Sequence, residues 1–283
     1  MFQPDLLKGK RILVTGGGTG LGRSMAHRYL ELGANVIICG RREDVLKQTA
    51  EELAKDTGGE IETVGCDVRV PAAVEAMMDT IWTRRPLDIL VNNAAGQILA
   101  QTHKMSPRAI DAVLNIVLHG SAYCTVAAGR RWIDAGLRGK VVMSILTVSS
   151  LTGAAFTVPS AMAKAGVLAM TKSLAVEWGP KGIRTCAIVP GPFPTEGAWS
   201  RLMPKERGSQ EEMIKAIPMR RVGEHIELAN LAAFLVSDGA AYINGDAIVI
   251  DGGKSLQSGG GGANTSSMLD WTDEQWAAIR PKK

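Results

Sequence analysis

An eight-residue run, TGGGTGLG at positions 15–22, constrains this chain more than any other feature. It follows the β-branched run RILVT (11–15) and passes directly into a segment of helical periodicity. Glycines at such a junction let the backbone turn tightly and approach a pyrophosphate, while the helix N-terminus offers N–H groups and a favourable dipole. Gly16, Gly20 and Gly22 stand in the spacing G-x-x-x-G-x-G, a variant of the dinucleotide fingerprint, with Thr19 and Leu21 inside the same turn. Strand, glycine turn and helix in that order begin a βαβ unit, and such a unit implies a parallel sheet.

The rest of the chain repeats the alternation. NVIIC (35–39), EIETV (60–64), LDILV (87–91), KVVMSILTV (140–148), GIRTCAIV (182–189) and DAIVI (246–250) read as further strands. They are mostly unbroken apolar runs, as strands covered on both faces should be. Helices are expected at about 21–32, 43–56, 71–83, 107–134, 158–178 and 224–236. In the first, Gly22, Met25, Ala26, Tyr29 and Leu30 share a face and Gly33 ends it. In the fifth, Ala163, Gly166, Val167, Met170 and Leu174 share one. The fold class is therefore α/β, a single Rossmann-like, doubly wound parallel sheet with helices on both faces. Residues 1–253 form one dinucleotide-binding domain, with a Pro-rich, charged segment at about 190–220 long enough for a lid. Residues 254–283 are a glycine-rich stretch, SGGGGANTSS at 258–267, and a tail whose WTDEQWAAI (271–279) has aromatic surface to dock on the body or a neighbouring subunit.

Three strand ends converge on one ligand. The second strand ends CGRRED, with Gly40 where a carboxylate would meet a ribose 2′-OH, and Arg41 and Arg42 next. Guanidinium groups suit a 2′-phosphate, which points to NADP(H); the alternative is a solvated cluster in which both arginines pair with Glu43 and Asp44. Arg23 is close enough in sequence to reach the same phosphate. Asp67 and Val68 in CDV (66–68) can hold adenine, and Asn93, Ala94, Ala95 and Gly96 in NNAAG (92–96) put small residues beside the cofactor. Plain structural turns are the competing reading of both.

Composition closes off other classes. Net charge is +4 over 283 residues without a basic run, which argues against nucleic acid. No apolar stretch is expected to span a membrane, and MFQPDLLKGK is too mixed for a leader. Cys39, Cys66, Cys124 and Cys186 lie in separate apolar segments without C-x-x-C, and His27, His103, His119 and His225 lack ligand spacing. A cytoplasmic protein with reduced, buried thiols and no metal is expected. G-x-S-x-G is absent too, against a hydrolase.

TGGGTGLG, CDV, NNAAG, the lysine of AMAKAGV and PGP (190–192) together resemble the short-chain dehydrogenase/reductase family, in order and spacing over about residues 8–253. VPSAMAKAGVLAMTKSLAVEWGPKGIR, PGPFPTEGAWSRL and ELANLAAFLVSD are more narrowly similar to the mitochondrial 2,4-dienoyl-CoA reductases and their bacterial relatives, which reduce conjugated dienoyl thioesters with NADPH. The resemblance implies a homotetramer acting on an acyl-CoA. It implies that Arg41 meets the 2′-phosphate, that Pro190, Gly191, Pro192 and Phe193 flank the nicotinamide, and that Lys164 binds the nicotinamide ribose and polarises a catalytic hydroxyl. Ile98, Ser106 and Arg201 fall at substrate positions, Arg201 suiting CoA phosphates or, alternatively, being an exposed charge.

The departures bear on the chemistry. The general family's tyrosine, four residues before the lysine, is Ser160 here; the dienoyl reductases' tyrosine position is Ser149. Gln97 replaces their asparagine after NNAAG, Val117 replaces the general family's helix asparagine, and Ser150 falls at the general active-site serine. The three tyrosines, Tyr29, Tyr123 and Tyr242, lie elsewhere. A serine donates a hydrogen bond well but is a poor acid. Losing a general acid costs about 10²–10⁴ in rate, and losing one oxyanion donor about 10²–10³. Ser149, Ser150, Ser160 and Gln97 can restore the second with Lys164. The expectation is an NADPH-dependent reductase of a conjugated enoyl or dienoyl thioester. The alternatives are a carbonyl reductase or alcohol dehydrogenase, and an NADP(H)-binding protein that has lost catalysis.

Overall fold

A computed structural model describes residues 2–195, 210–257 and 270–278. Seven parallel strands form one sheet in the order β3-β2-β1-β4-β5-β6-β7. They are β1 (Arg11–Thr15), β2 (Asn35–Gly40), β3 (Ile61–Gly65), β4 (Ile89–Asn92), β5 (Lys140–Ile145), β6 (Ile183–Pro190) and β7 (Ala247–Ile250). The order reverses between β1 and β4, and in open α/β sheets ligands lie at the carboxyl ends of strands beside such a switch.

The apolar runs are continuous because both faces are covered. Ile12, Val14, Val36, Ile38, Ile89 and Val91 pack under helices α1 (Gly20–Glu31) and α2 (Glu43–Thr57). Their neighbours Leu13, Ile37 and Leu90 face α3 (Pro71–Arg84) on the other side. The predicted face of α1 is buried residue for residue, and Gly33 follows it at φ +84°. All four cysteines are buried free thiols.

Two long segments differ from expectation. The helix over 107–134 is α4 (Pro107–Leu114), a π-helical turn at Asn115–His119, and α5 (Gly120–Asp134). Gly120 follows the π turn, and a Cβ there would come within 2.7 Å of Val68 Cγ2. This run of 28 residues contains an 18-residue window of mean hydropathy 1.3, which has the length and composition that the sequence reading denied the chain; half of that window is buried within the body, as in a core helix. The strand over 140–148 stops at Ile145, and the chain makes one helical turn, α6 (Ser149–Thr152), before α7 (Val158–Trp178). On α7 the buried line runs through Ser160, Ala163, Lys164, Val167, Thr171, Ala175 and Trp178. Gly166, Met170 and Leu174, expected on that line, flank it and are only half-buried, with Leu118 of the π turn seated against Gly166.

After β6, residues 191–195 belong to no helix or strand, 196–209 lie outside the described residues, and α8 (Gln210–Lys215) and α9 (His225–Val236) follow. The glycine-rich stretch 258–267 lies outside them as well. Of the tail, residues 273–278 form a short helix, and Arg220 pairs with Asp270 at 2.6 Å, joining the tail to the segment after α8.

Close packing of α5 on α7 depends on Gly129, where a Cβ would come within 2.3 Å of the buried Trp178 ring. Gly129→Ala is expected to lower the unfolding free energy by about 1–3 kcal/mol, measured by urea titration followed through tryptophan fluorescence.

Candidate functional site

The turn after β1 is built by close approach. Gly16 has φ +65°, and a Cβ on it would stand 3.0 Å from the Ala94 Cα. A Cβ on Gly22 would stand 2.4 Å from the Gly16 carbonyl oxygen, so this glycine seats α1 against the turn. Asn93 holds the arrangement from the end of β4: its amide donates to the carbonyls of Thr15 at 3.0 Å and Gly16 at 3.2 Å. The Thr15 hydroxyl accepts from the N–H groups of Asn93 and Ala94, both at 3.0 Å, and donates to the Val91 carbonyl at 3.3 Å. Asn93 thus shapes the turn with its side chain. Thr19 enters α1 in extended conformation without a side-chain cap, and no acid sits in the first turn. The end of α1 is accordingly suited to an anion.

One cleft gathers Gly16, Thr19, Arg41, Arg42, Asp67, Val68, Ala94 and Ala95, and adds Gly18, Gly40 and Ile116. Arg41 and Arg42 are exposed at its rim. Among the described residues neither makes an ion pair, whereas other arginines do, such as Arg23 with Glu52 at 3.0 Å and Arg69 with Asp67 at 2.6 Å. Glu43 lies over Gly65 instead, with Oε1 2.5 Å from where a Cβ would be. The pairing of Arg41 and Arg42 with Glu43 and Asp44 is therefore not made. Arg23 is corrected: Glu52 holds it on the exposed side of α2. Asp67 accepts from Arg69 Nε at 2.9 and 3.0 Å through its two oxygens and from Nη2 at 2.6 Å, and these bonds hold its carboxyl below the usual range. Two guanidiniums at the mouth, a glycine cradle and a helix N-terminus fit a dinucleotide with an extra phosphate.

The remaining predicted cofactor residues border this cleft through packing. Leu21 packs on the core beneath α1, and a Cβ on Gly96 would touch Ile116 at 3.2 Å. Pro190 ends β6, the Gly191 N–H donates to the Ile250 carbonyl at 2.9 Å, and the Gly223 N–H donates to the Pro192 carbonyl at 3.0 Å. Phe193 is buried against Gly223, so its ring fills the core.

Lys164 is 6% exposed, and its ammonium donates to the carbonyl of Ile145 at the end of β5. Among the described residues it has no carboxylate partner, and burial pushes its pKa down to about 8. One turn earlier on the same buried line lies Ser160. Ser150 is buried too, but its hydroxyl donates to the Thr147 carbonyl at 2.6 Å, which commits its single proton. The hydroxyls of Ser149 and Ser160 and the Gln97 amide make no hydrogen bond to a described residue, so their protons are open to a ligand. Of the predicted catalytic serines, Ser150 is thus a poor oxyanion donor, and Ser149 and Ser160 remain. Tyr29 is sealed in the core with its hydroxyl unpartnered, Tyr123 lies against His119, and Tyr242 is fully exposed.

Two predicted substrate residues have structural tasks. Ile98 packs against Val113, Val117 and Ala163, and the Ser106 hydroxyl caps α4 by accepting from the Ala109 N–H at 3.2 Å. Arg201 lies outside the described residues. Sequence reasoning missed Phe156, whose φ is +64° and whose carbonyl accepts from the Ala100 N–H at 3.0 Å, joining the loops after β4 and β5. No glycine marked that position. It also missed His225, dismissed for want of ligand spacing, which bridges Ser24 and the Pro194 carbonyl.

A family model described as enoyl-(acyl carrier protein) reductase matches residues 16–255. The chain is 44% identical, over 99% of its length and 91% of the relative's, to a Caenorhabditis elegans protein named probable 2,4-dienoyl-CoA reductase 3, (3E)-enoyl-CoA-producing. It is 41% identical, over 87% of its length and 97% of the relative's, to a Bacillus subtilis protein named probable 2,4-dienoyl-CoA reductase, (2E)-enoyl-CoA-producing. Among solved structures, a short chain dehydrogenase from Bacillus anthracis superposes with a TM-score of 0.77 at 38% identity, covering 89% of this chain and 98% of that one.

Asn93→Ala would leave the Thr15 and Gly16 carbonyls without the amide. It is expected to cost about 1–3 kcal/mol in urea unfolding, whereas Gln48→Ala on the exposed face of α2 should stay within about 0.5 kcal/mol.

Proposed function

The chain belongs to the short-chain dehydrogenase/reductase family of oxidoreductases, and we propose that it reduces a conjugated enoyl or dienoyl thioester of coenzyme A with NADPH. The observation that carries this reading is the pairing of a buried, carboxylate-free Lys164 with the uncommitted hydroxyl of Ser160 on one face of α7, where no tyrosine stands. The names of the relatives at 44% and 41% identity supply the substrate class.

A bound NADPH supplies hydride. Adding hydride to a conjugated thioester puts the charge on the thioester oxygen, and a carbon is protonated afterwards. The chain then has to stabilise an oxyanion, which hydroxyl donors and a buried cation do well. Ser160 and Ser149 offer the donors, Lys164 the positive potential, and Gln97 a further amide. Reducing a simple ketone would require a proton on oxygen, for which serine is a far weaker acid than the family's tyrosine. Lys164 Nζ, fixed by the Ile145 carbonyl, also suits the nicotinamide ribose. Arg41 and Arg42 favour NADPH over NADH because, among the described residues, neither makes an ion pair and both stand exposed at the rim. Self-association as a homotetramer fits Val126, Met162 and Val176, apolar side chains left exposed on α5 and α7.

A second reading, binding without turnover, is favoured by one observation, the serine at 149. NADPH oxidation with a 2,4-dienoyl-CoA at high enzyme concentration separates the two. Turnover by the unaltered protein, lost in Lys164→Ala, supports the reductase. Tight NADPH binding with turnover only in Ser149→Tyr supports the second reading.

Further outcomes follow from the charges. Lys164 is protonated below its pKa of about 8 and neutral above it, so kcat/KM should fall as pH rises through that value by about tenfold per pH unit. Arg41→Ala should raise the KM for NADPH by about 10–100-fold and leave the KM for NADH nearly unchanged.

A further inference from the structure

His225 opens α9 and lies half-buried between two parts of the chain that have no sequence connection. Its Nδ1 is 2.8 Å from the Ser24 hydroxyl on α1, and its Nε2 is 2.6 Å from the Pro194 carbonyl in the segment that leaves β6. Ser24 in turn lies 3.1 Å from the carbonyl of Gly20 in the glycine turn. The segment itself covers that turn, since a Cβ on Gly20 would stand 3.3 Å from Thr195 Cγ2. The Pro194 carbonyl can only accept, so Nε2 carries a proton and donates; the single Ser24 hydroxyl proton is shared between the Gly20 carbonyl and Nδ1.

We infer that His225 is a positioning residue that pins the Pro194–Thr195 segment over the glycine turn and so sets how tightly the dinucleotide is held. The inference rests on the cofactor reading above, and it concerns residues outside the catalytic group at Lys164. Its reach is the middle of the cofactor: Gly20 belongs to the pyrophosphate turn, and Pro190–Pro192 lie just before the pinned segment. The effect should therefore ignore the 2′-phosphate. A neighbouring contact supplies the control. Arg28 Nε donates to the Asn230 side chain at 2.8 Å, a second polar tie between α1 and α9 that does not involve Pro194.

The test is fluorescence titration of the full-length protein with NADPH and with NADH. His225→Phe keeps a ring and removes both bonds; its Kd should rise about five- to tenfold for both nucleotides. His225→Gln can still place an amide N–H on the Pro194 carbonyl and should restore most of the affinity. The shorter His225→Asn reaches Ser24 alone and should behave like the phenylalanine variant. Asn230→Ala should lower the melting temperature with Kd within about twofold of the original. In steady state the thioester KM at saturating NADPH should stay unchanged in the glutamine and asparagine variants. Unchanged Kd in the asparagine variant, or equal weakening in Asn230→Ala, would overturn the assignment while leaving the cofactor reading intact. Failure of the unaltered protein to bind either nucleotide would overturn both.

Discussion

Asn93 and Thr15 join the two middle strands of the sheet at the place where the strand order reverses. Thr15 ends β1, and its hydroxyl takes two N–H groups from the segment that leaves β4. Asn93 returns two bonds to the carbonyls of the glycine turn. Each bond is worth only about 1 kcal/mol net. Their joint effect is geometric, because they fix the floor of the cleft before any ligand arrives. Gly16 and Gly22 let the backbone approach that floor, and any side chain there would meet the Ala94 backbone or the Gly16 carbonyl. Everything placed around the cofactor depends on this junction: α1 points its N-terminus into the cleft because the turn is tight, and Arg41 and Arg42 reach the rim because β2 runs parallel beside β1.

Charge is arranged differently at the two ends of the site. At the rim, Arg41 and Arg42 are exposed to solvent and make no ion pair among the described residues. At the end of β5, Lys164 is buried with the Ile145 carbonyl as its partner, so its charge is poorly compensated and its proton is held less firmly. A buried, poorly paired cation is costly for folding. The same cost makes it a strong attractor for an oxyanion, since an anion arriving beside it relieves the deficit instead of competing with a resident carboxylate.

The sheet was legible because its strands are long apolar runs between strong turn signals, and the helices because their apolar residues recur at helical spacing. The cleft was legible for the same reason that it exists, since glycine, arginine and aspartate stand at strand ends where few alternatives serve. What escaped the reading depended on partners distant in sequence. Glu52 claims Arg23 from 29 positions away, and Pro194 claims His225 from 31. Ser106 was taken for a substrate residue, although Ser-Pro before an apolar run is itself an N-cap signal. Ser150 was grouped with its neighbours because a hydroxyl's direction follows from the local turn, and the single turn of α6, just past the run that reads as strand, is too short to leave a periodic signal. The π turn had no signal at all, as an inserted residue leaves the apolar spacing of a long helix almost unchanged.

The serine in place of tyrosine narrows the chemistry through proton balance. A ketone accepts hydride and then needs a proton on the same oxygen within the site, so the acid belongs to the barrier. A conjugated thioester accepts hydride at a carbon remote from the oxygen, and the enolate can persist if its charge is held. With Ser150 committed to Thr147, the hydroxyls that can hold it are those of Ser149 and Ser160. Ser160 has the stronger claim, because α7 carries it on the same buried line as Lys164, while Ser149 sits on the single turn of α6. A donor on the rigid helix loses less entropy on meeting the oxyanion than one on a short loop turn. On the reading proposed above, the proton that completes the reaction would come from water or, through it, from Lys164. Water reaching the α or the γ carbon of the enolate would then give different enoyl products, as the two product types named for the relatives differ.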